Sequence, residues 1–365
     1  MAGGGHRSLR GRMMGGCGRG REMAETFTLD SDGFTCSRVC EEPEVWRVEL
    51  LMARTFLPSV NVHVVLDGGE ALIVDAGTCD DFNDTRLMRA LVRLGVDPKH
   101  ATVFCTHSHN DHTGLARELA ETGAELVMSS RSLTDLRTFS SYDCRDFLVE
   151  RLAAEGSDAQ LARELVCSQW ERRADFTLDG VEVSTVEPGD HVRCGRWSFE
   201  VVATPGHTPG HCALVLPERR LAFTGDALLF ACSSFICFWP GVADSLGNHM
   251  ATLRRFADMG LEQVFLGHGV QTGDYGERAL ANLAHHERRS ERALEAIRRE
   301  PGRTGRELVC DLGWRAIGES GLDTVPLNTR WFICAESLTH LDHLVELGLV
   351  HREADDAGVN RYFAA

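Results

Sequence analysis

Four side chains of metal-binding type lie within six residues of this chain. They are His107, His109, Asp111 and His112, in an H-x-H-x-D-H pattern that directly follows an apolar run at 101–105. Packing alone does not account for so many imidazole and carboxylate groups in one short segment. Two neighbouring divalent cations would account for them, because both groups are good ligands for such ions. The segment therefore predicts a metal site at the end of a buried strand.

Three further residues of metal-binding type follow at wide spacing. His207 lies in T-P-G-H-T-P-G-H, Asp226 in T-G-D and His268 in L-G-H-G; each follows an apolar segment and stands beside glycine. Loops at strand ends converge on one edge of a scaffold, and glycine lets the backbone bring a side chain in at an unusual angle. These residues are candidates to complete the site.

The elements that would position these residues alternate between strands and helices. Residues 60–66 and 71–77, separated by the turn D-G-G-E, predict a β-hairpin. Apolar periodicity predicts further strands at 101–105, 125–129, 181–186, 199–203, 213–216, 221–224 and 264–266, and helices at 84–94, 115–122 and 244–259. We place a catalytic domain at 25–278, preceded by a disordered Gly/Arg-rich leader at 1–24.

Two segments depart from this alternation. Residues 131–173 are polar and helical with interspersed aromatics, and we interpret them as an insertion that either covers the site or packs only on the scaffold. Residues 279–365 would form a separate small domain. There, a capping box at 304–307 opens a short helix, a second helix is predicted at 336–347, and a hairpin joins 349–351 to 360–363. This order is typical of a winged helix.

Composition limits the classes of function. The formal net charge of −16 disfavours binding to nucleic acid through phosphate contacts and to anionic membranes. The 13 cysteines include no C-x-x-C pair, which indicates a reducing compartment, and we expect the cytoplasm. No apolar stretch reaches the length of a membrane span.

The ordered motifs resemble those of the metallo-β-lactamase superfamily, from about residue 27 to residue 276. The resemblance implies an α/β fold, a four-layer αββα sandwich, here with a helical insertion and a winged-helix-like tail. It implies that one metal is held by His107, His109 and His207, a second by Asp111, His112 and His268, and that Asp226 bridges both. Asp75, in V-D-A-G, matches an early aspartate that supports the ligands.

The resemblance also implies roles and a cofactor. A hydroxide shared by two divalent metal ions would be the nucleophile, and Asp111 would orient it and accept its proton. His211 would contact substrate or support the ligands. The ligand types suit zinc, and they permit iron or manganese.

Asp226 narrows the substrate class. β-Lactamases of this superfamily usually carry cysteine or serine there, whereas aspartate resembles the glyoxalase II-like thioesterases, lactonases and nucleases. Our first hypothesis is hydrolysis of a small ester-type bond, in particular an acyl thioester. The alternatives are a metal-dependent endoribonuclease and a non-catalytic, metal-bound ligand sensor.

The charge of the tail and the apolar stretch 227–240 indicate which partners the protein could bind. Winged-helix-like tails occur in the lactamase-like group that includes some endoribonucleases, yet residues 287–361 hold 11 arginines against 14 acidic residues. We therefore expect no nucleic acid and no membrane, and a tail that packs on the catalytic domain, borders the active site or forms a homodimer contact. The apolar stretch 227–240 would either line the pocket for a small molecule with an apolar portion or form core.

Overall fold

The computed structural model describes residues 26–28, 35–52, 57–170 and 178–365. The predicted leader at 1–24 and the last residues of the predicted insertion, 171–173, lie outside the described residues.

Eight strands form the first sheet, side by side in chain order. They are Thr26–Thr28 (β1), Thr35–Cys40 (β2), Glu44–Leu51 (β3), Ser59–Asp67 (β4), Glu70–Val74 (β5), Ala101–Cys105 (β6), Glu125–Ser129 (β7) and Ser184–Val186 (β8). Strands β1 to β5 pair antiparallel and β5 to β8 pair parallel. The predicted hairpin is β4–β5, and its two-residue turn uses the positive φ angles of Gly68 (63°) and Gly69 (88°).

Five strands form the second sheet: His191–Cys194 (β9), Trp197–Ala203 (β10), Cys212–Leu216 (β11), Leu221–Gly225 (β12) and Gln263–Leu266 (β13). Their order is β13-β12-β11-β10-β9, and only β12 and β13 run parallel. The inner faces of both sheets share one apolar core, in which Leu72, Val74 and Phe104 meet Phe199 and Phe223.

Helices cover the outer faces of both sheets. The helices are Asp81–Arg93 (α1), Asn110–Thr113 (α2), Ala116–Glu121 (α3), Ser130–Phe139 (α4), Tyr142–Ala154 (α5), Ala159–Trp170 (α6), Ser245–Asp258 (α7), Tyr275–Arg299 (α8), Gly305–Leu308 (α9) and Leu327–Glu346 (α10). Leu87 of α1 and Leu119 of α3 pack on the first sheet, and Leu253 of α7 packs on the second. The result is the predicted four-layer αββα arrangement. Strands buried on both faces read as continuous apolar runs, which is why the sequence revealed them.

Two of the predicted boundaries that differ from the structure have clear local reasons. Helix α1 begins at Asp81 rather than 84, because the Asp80 side chain accepts hydrogen bonds from the backbone N–H groups of Phe82 and Asn83. Strand β8 begins at Ser184 rather than 181, because the N–H of Val181 closes a turn onto the carbonyl of Leu178.

The predicted insertion consists of helices α4, α5 and α6, and it shares its core with the tail. Phe139, Leu148 and Leu165 of the insertion are buried in one apolar cluster with Trp331 and Leu338 of α10. Buried Glu155, which follows α5, also accepts a hydrogen bond of 2.8 Å from the Tyr362 hydroxyl in the tail. The insertion therefore packs on the tail as well as on the scaffold.

The tail contains the predicted elements in the predicted order. A capping box joins Thr304 and Glu307 at α9, and the strands Val350–Ala354 (β14) and Asn360–Ala364 (β15) form the hairpin. Helix α10 begins at Leu327 instead of 336. From Arg330 to Asp342 every residue except Phe332 is buried, so this stretch shows no one-sided helical period. Helix α8 runs without a break through position 278, where we placed the domain boundary. The boundary and the winged-helix assignment stay predictions.

Within the described residues, no helix is both long and apolar enough to cross a membrane. No disulfide joins the cysteines in that part of the chain.

Candidate metal centre

The seven candidate ligands come together at four strand ends. His107 and His109 follow β6, and the single turn of helix α2 carries Asp111 and His112. The remaining three ligands come from turns associated with the second sheet: His207 lies after β10, Asp226 directly after β12 and His268 two residues after β13. The structure thus brings the side chains of these segments close to one another, and their role as metal ligands stays a prediction.

Three histidines form the first group. Nε2 of His107 lies 3.1 Å from Nδ1 of His109, and Nε2 of His207 lies 2.9 Å from the same His109 atom. The ligand-type atoms of all three lie within 4.8 Å of one another, close enough to share one cation.

Asp111, His112 and His268 form the second group, again with ligand-type atoms within 4.8 Å of one another. Oδ2 of Asp111 lies 3.4 Å from Nε2 of His268 and 4.0 Å from Nε2 of His112. A second cation fits this set of one carboxylate and two imidazoles.

The carboxylate of Asp226 stands between the two groups. Its Oδ1 lies 3.5 Å from Nε2 of His112, and its Oδ2 lies 3.6 Å from Nε2 of His207 and 3.3 Å from Nε2 of His268. Each oxygen thus faces nitrogen atoms that a cation would bind, so one carboxylate can serve both groups.

Hydrogen bonds at the opposite ring nitrogens orient four of the imidazoles. Nδ1 of His268 donates to the carbonyl of Ser59 at 2.6 Å, and Nδ1 of His207 donates to the carbonyl of Phe235 at 2.7 Å. Nδ1 of His112 lies 2.8 Å from Asp75 and Nδ1 of His107 lies 3.0 Å from the hydroxyl of Thr106. In each ring Nε2 is left to face the centre, the arrangement that metal-bound histidines show.

Asp75 supports the site as the sequence predicted. Its Oδ1 accepts the backbone N–H of Thr106 at 2.8 Å, while its Oδ2 accepts from His112 and from the Thr106 hydroxyl. Asp75 has a φ of 65°, and aspartate is one of the few residues that enter this left-handed region. One buried carboxylate therefore fixes both the start of the H-x-H-x-D-H segment and one of its histidines.

A glycine gives the centre the space it needs. A Cβ atom on Gly267 would lie 2.3 Å from Oδ1 of Asp226 and 2.6 Å from Cε1 of His112. Any side chain at position 267 would displace one of these two groups.

The donor set fits divalent cations. Among the described residues, Nε2 of His112, Nε2 of His268 and Oδ1 of Asp226 are buried without a hydrogen-bond partner, which is costly for polar atoms. Burial lowers the pKa of His268, but Asp226 and Asp111 outweigh burial and raise it to about 10. Burial and the adjacent imidazoles hold the pKa of His107 well below its usual value. A cation on these nitrogen and oxygen atoms would satisfy them all.

Residues 56–268, more than half of the chain and including all seven candidate ligands, match the family model of the metallo-beta-lactamase superfamily. The chain belongs to this superfamily. The resemblance found in the motifs is confirmed.

Several relatives carry names of this superfamily or of enzymes related to it. The mitochondrial persulfide dioxygenase of Homo sapiens is 46% identical over 61 residues, 17% of this chain and 24% of that protein. The lactamase-like protein adaB of Aspergillus niger is 26% identical over 253 residues, 68% of this chain and 62% of that protein. The chain thus spans less than two thirds of both. The beta-lactamase-like protein 2 homolog of Caenorhabditis elegans is 25% identical over 293 residues, 79% of this chain and 82% of that protein.

Two solved structures share the fold. A beta-lactamase domain protein from Burkholderia ambifaria superposes with a TM-score of 0.77 at 24% identity, over 93% of this chain and 96% of that chain. A metallo-beta-lactamase family protein from Thermus thermophilus gives a TM-score of 0.71 at 24% identity, over 88% of this chain and 98% of that chain. These similarities show the superfamily fold and leave the activity open.

His211 lies beside the candidate metal centre, and both of its ring nitrogens are in hydrogen-bond contact with neighbouring groups. Its Nδ1 lies 2.6 Å from the hydroxyl of Thr204, and its Nε2 accepts the backbone N–H of Asp226 at 3.1 Å. Burial, and then the nearby His207, hold the pKa of His211 well below its usual value. Of the two roles left open by the sequence, these contacts favour support of a ligand over contact with substrate.

The apolar stretch after Asp226 is divided between core and site. Residues 227–229 and 236–239 are buried, whereas 230–233 and Phe235 are exposed or partly exposed. Trp239 donates from Nε1 to the carbonyl of His207 at 3.3 Å, and its ring lies 6.2 Å from that of His109. Phe139 of the insertion stacks on Trp239 at 4.1 Å. The insertion therefore reaches the wall of the metal centre.

A second buried group of metal-binding type was missed from the sequence. His286 of α8 and Glu336 and His340 of α10 have ligand-type atoms within 4.8 Å of one another. The spacing of Glu336 and His340 by four residues, which places both on one face of a helix, was the available signal in the sequence. Nη1 of Arg289 already binds Oε1 of Glu336 at 2.8 Å, and its positive charge would oppose a cation here.

Proposed function

We propose that the protein is a dinuclear metal-dependent hydrolase whose substrate is a small acyl thioester with an apolar portion. The position of Asp226 carries this proposal, because its two oxygens face both groups of histidines. Residues His107, His109 and His207 would hold one ion, Asp111, His112 and His268 the other, and Asp226 both. Two bound divalent ions, with zinc as our assignment, would supply a nucleophilic water at neutral pH and positive charge for the developing oxyanion.

Asp111 is suited to orient the attacking water and to accept its proton. Its side chain is 24% exposed against 7% for Asp226, so it faces the opening of the site. Burial opposes its ionisation, but the charges of His112 and His268 prevail and hold the pKa of the Asp111 carboxyl below its usual value. The group is therefore a carboxylate able to accept hydrogen bonds at neutral pH.

Two aromatic rings beside the metal centre, those of Phe235 and Phe332, support the preference for a substrate with an apolar portion; we call them the aromatic wall. Phe235, whose carbonyl binds His207, meets Phe332 of α10 edge to face at 4.6 Å, and both rings are partly exposed. The net charge of −16 opposes a polyanion such as RNA. We therefore place a small uncharged acyl chain, rather than nucleic acid, against this wall.

Oxidation of a persulfide is a second candidate. The observation in its favour is the 46% identity to the human persulfide dioxygenase, confined to 61 residues. Because that match covers 24% of the relative, it supports a function less strongly than the geometry of the seven candidate ligands does.

Metal analysis with a substrate panel tests both candidates. We expect two divalent ions per chain and hydrolysis of acyl thioesters that improves with acyl length, with Asp111→Asn as the inactive control. Oxygen consumption with glutathione persulfide would favour the dioxygenase instead. Cleavage of RNA that falls steeply with added salt would favour the endoribonuclease. Absence of turnover on all of these substrates by metal-loaded protein would contradict the proposal.

A further inference from the structure

One buried residue of β4 holds the turn that carries His268. Nδ2 of Asn61 donates to the carbonyl of Leu266 at 3.0 Å and to the carbonyl of Gly269 at 2.7 Å. The backbone N–H of the same residue donates to the carbonyl of Gly267 at 2.8 Å. Asn61 thus binds the carbonyls of three of the four residues at 266–269, and the fourth residue is the candidate ligand.

The register of the first sheet leaves this part of β4 available for the turn. Pairing of β4 with β5 begins only at His63. Before that point, the N–H of Asn61 and the carbonyl of Ser59 both bind the turn after β13, and the carbonyl accepts the Nδ1–H of His268 at 2.6 Å. A strand of the first sheet therefore binds a turn that follows the edge strand of the second sheet.

The second sheet holds the same turn from another direction. The N–H of Gly267 donates at 2.9 Å to the carbonyl of Gly225, the residue before Asp226. Oδ2 of Asp226 lies 3.3 Å from Nε2 of His268. A displacement of the turn away from Asn61 would therefore change the distance between these two candidate ligands.

We propose that Asn61 is a positioning residue for the metal ion assigned to Asp111, His112 and His268, and that it acts through the turn at 266–269. A primary amide carries two N–H donors on one atom, so a single side chain can bind two carbonyls. Because Asn61 is 2% exposed, removal of these donors would leave both carbonyls without a partner, which is costly. The inference rests on the ligand assignment under the proposed function.

The test measures the zinc affinity of the full-length protein rather than its turnover. Metal-free protein is titrated with Zn²⁺ against a chromophoric chelator, which gives a dissociation constant for each ion, and its thermal midpoint is recorded. The variants are Asn61→Ala and Asn61→Asp, and the reference His268→Ala identifies the ion concerned. Asn61→Asp keeps the shape of the side chain but replaces the donating NH₂ group with an oxygen.

Ser59→Ala is the matched control, on the same strand and also buried. Its hydroxyl donates to Oε1 of Glu49 at 2.6 Å, so the substitution removes one side-chain hydrogen bond near the site. The backbone carbonyl that orients His268 is kept. We expect a lower thermal midpoint with both zinc affinities intact.

We expect Asn61→Ala to weaken one zinc ion about tenfold or more and to leave the other unchanged, as the loss of groups that orient a ligand does. The weakened ion must be the one that His268→Ala loses. Asn61→Asp should weaken the same ion, because its carboxylate oxygen would face two carbonyl oxygens instead of donating to them.

Several results would overturn the inference. Both ions could bind Asn61→Ala as tightly as wild type, or both could weaken equally, as a purely structural role predicts. If His268→Ala keeps two zinc ions, the ligand assignment itself is wrong, and the inference falls with it. If Asn61→Ala does not fold, Asn61→Asp decides by the same criterion. If neither variant folds, Asn61 determines the fold rather than the site, and the inference fails while the proposed function stands.

Discussion

Asp75 and His112 are joined by a hydrogen bond of 2.8 Å between Oδ2 and Nδ1, and both side chains are buried. The same carboxylate holds the backbone N–H of Thr106, one residue before the first candidate ligand. Asp75 therefore sets both the tautomer of one ligand and the course of the segment that carries three more.

Replacement of Asp75 should weaken metal binding without removing a ligand. We expect Asp75→Ala to lower metal affinity by about 10- to 100-fold, because the His112 ring loses its orienting partner. Chelator competition measures this. Asp258→Asn, an exposed change at the end of α7, is the control. Wild-type affinity in Asp75→Ala would contradict the supporting role.

Replacement of Asp226 should affect both metal ions together. Because its oxygens face both groups, we expect Asp226→Ala to bind fewer than two ions and to lose about 10²-fold or more of kcat/KM. Metal content and thioester turnover are measured on the same sample. Full activity with two ions retained would refute the bridging role.

Gly267→Ala should disturb the centre by one methyl group. The added Cβ would lie 2.3 Å from Oδ1 of Asp226, so we expect lower metal content and a loss of activity of about tenfold or more. Gly273→Ala is the matched control, since its Cβ would meet only Phe230, at 3.8 Å. Equal metal content and equal activity in the two variants would show that the centre tolerates the methyl group.

His63 should make the folded state sensitive to acid. It is buried between Phe223 and Phe265, and burial, followed by the charge of Arg47, lowers its pKa to about 3. The unfolded histidine binds its proton near pH 6.5, so between these values the unfolded state holds more protons. The free energy of unfolding should therefore fall as pH falls from about 6.5 towards 3, by up to about 1.4 kcal/mol per pH unit from this residue.

The variant His63→Phe isolates this contribution, because it keeps a ring between the two phenylalanines. Urea unfolding at a series of pH values should give a shallower loss of stability than in wild type. His191→Phe, an exposed position on β9, should keep the wild-type slope. Parallel curves for His63→Phe and wild type would mean that His63 does not titrate on unfolding.

The sequence was informative where side-chain chemistry and local pattern coincide. Both the family and the convergence of the ligands could be predicted from three features. These are the segment from His107 to His112, the turn before Asp226 and the glycines beside His268. Strands with continuous apolar runs were also recognisable, because burial on both faces leaves that pattern.

Other parts of the site had no signal of this kind. The carbonyls of Ser59 and Phe235 orient His268 and His207, but backbone groups leave no trace in residue type. The pair of Arg289 and Glu336 comes from two helices whose approach depends on tertiary packing. Helix α10 is buried at every position but Phe332 from Arg330 to Asp342, and this stretch therefore lacked the one-sided periodicity that predicts a helix.

The apolar cluster that unites helices α4 to α6 with α10 means that these two stretches, although separated by the whole second sheet in the chain, behave as one structural unit. In a chimaera that carried the tail of another family member, Phe139 and Leu165 would pack against side chains that differ from those of the native tail. The insertion and the tail must therefore be exchanged together in any engineered variant of this protein.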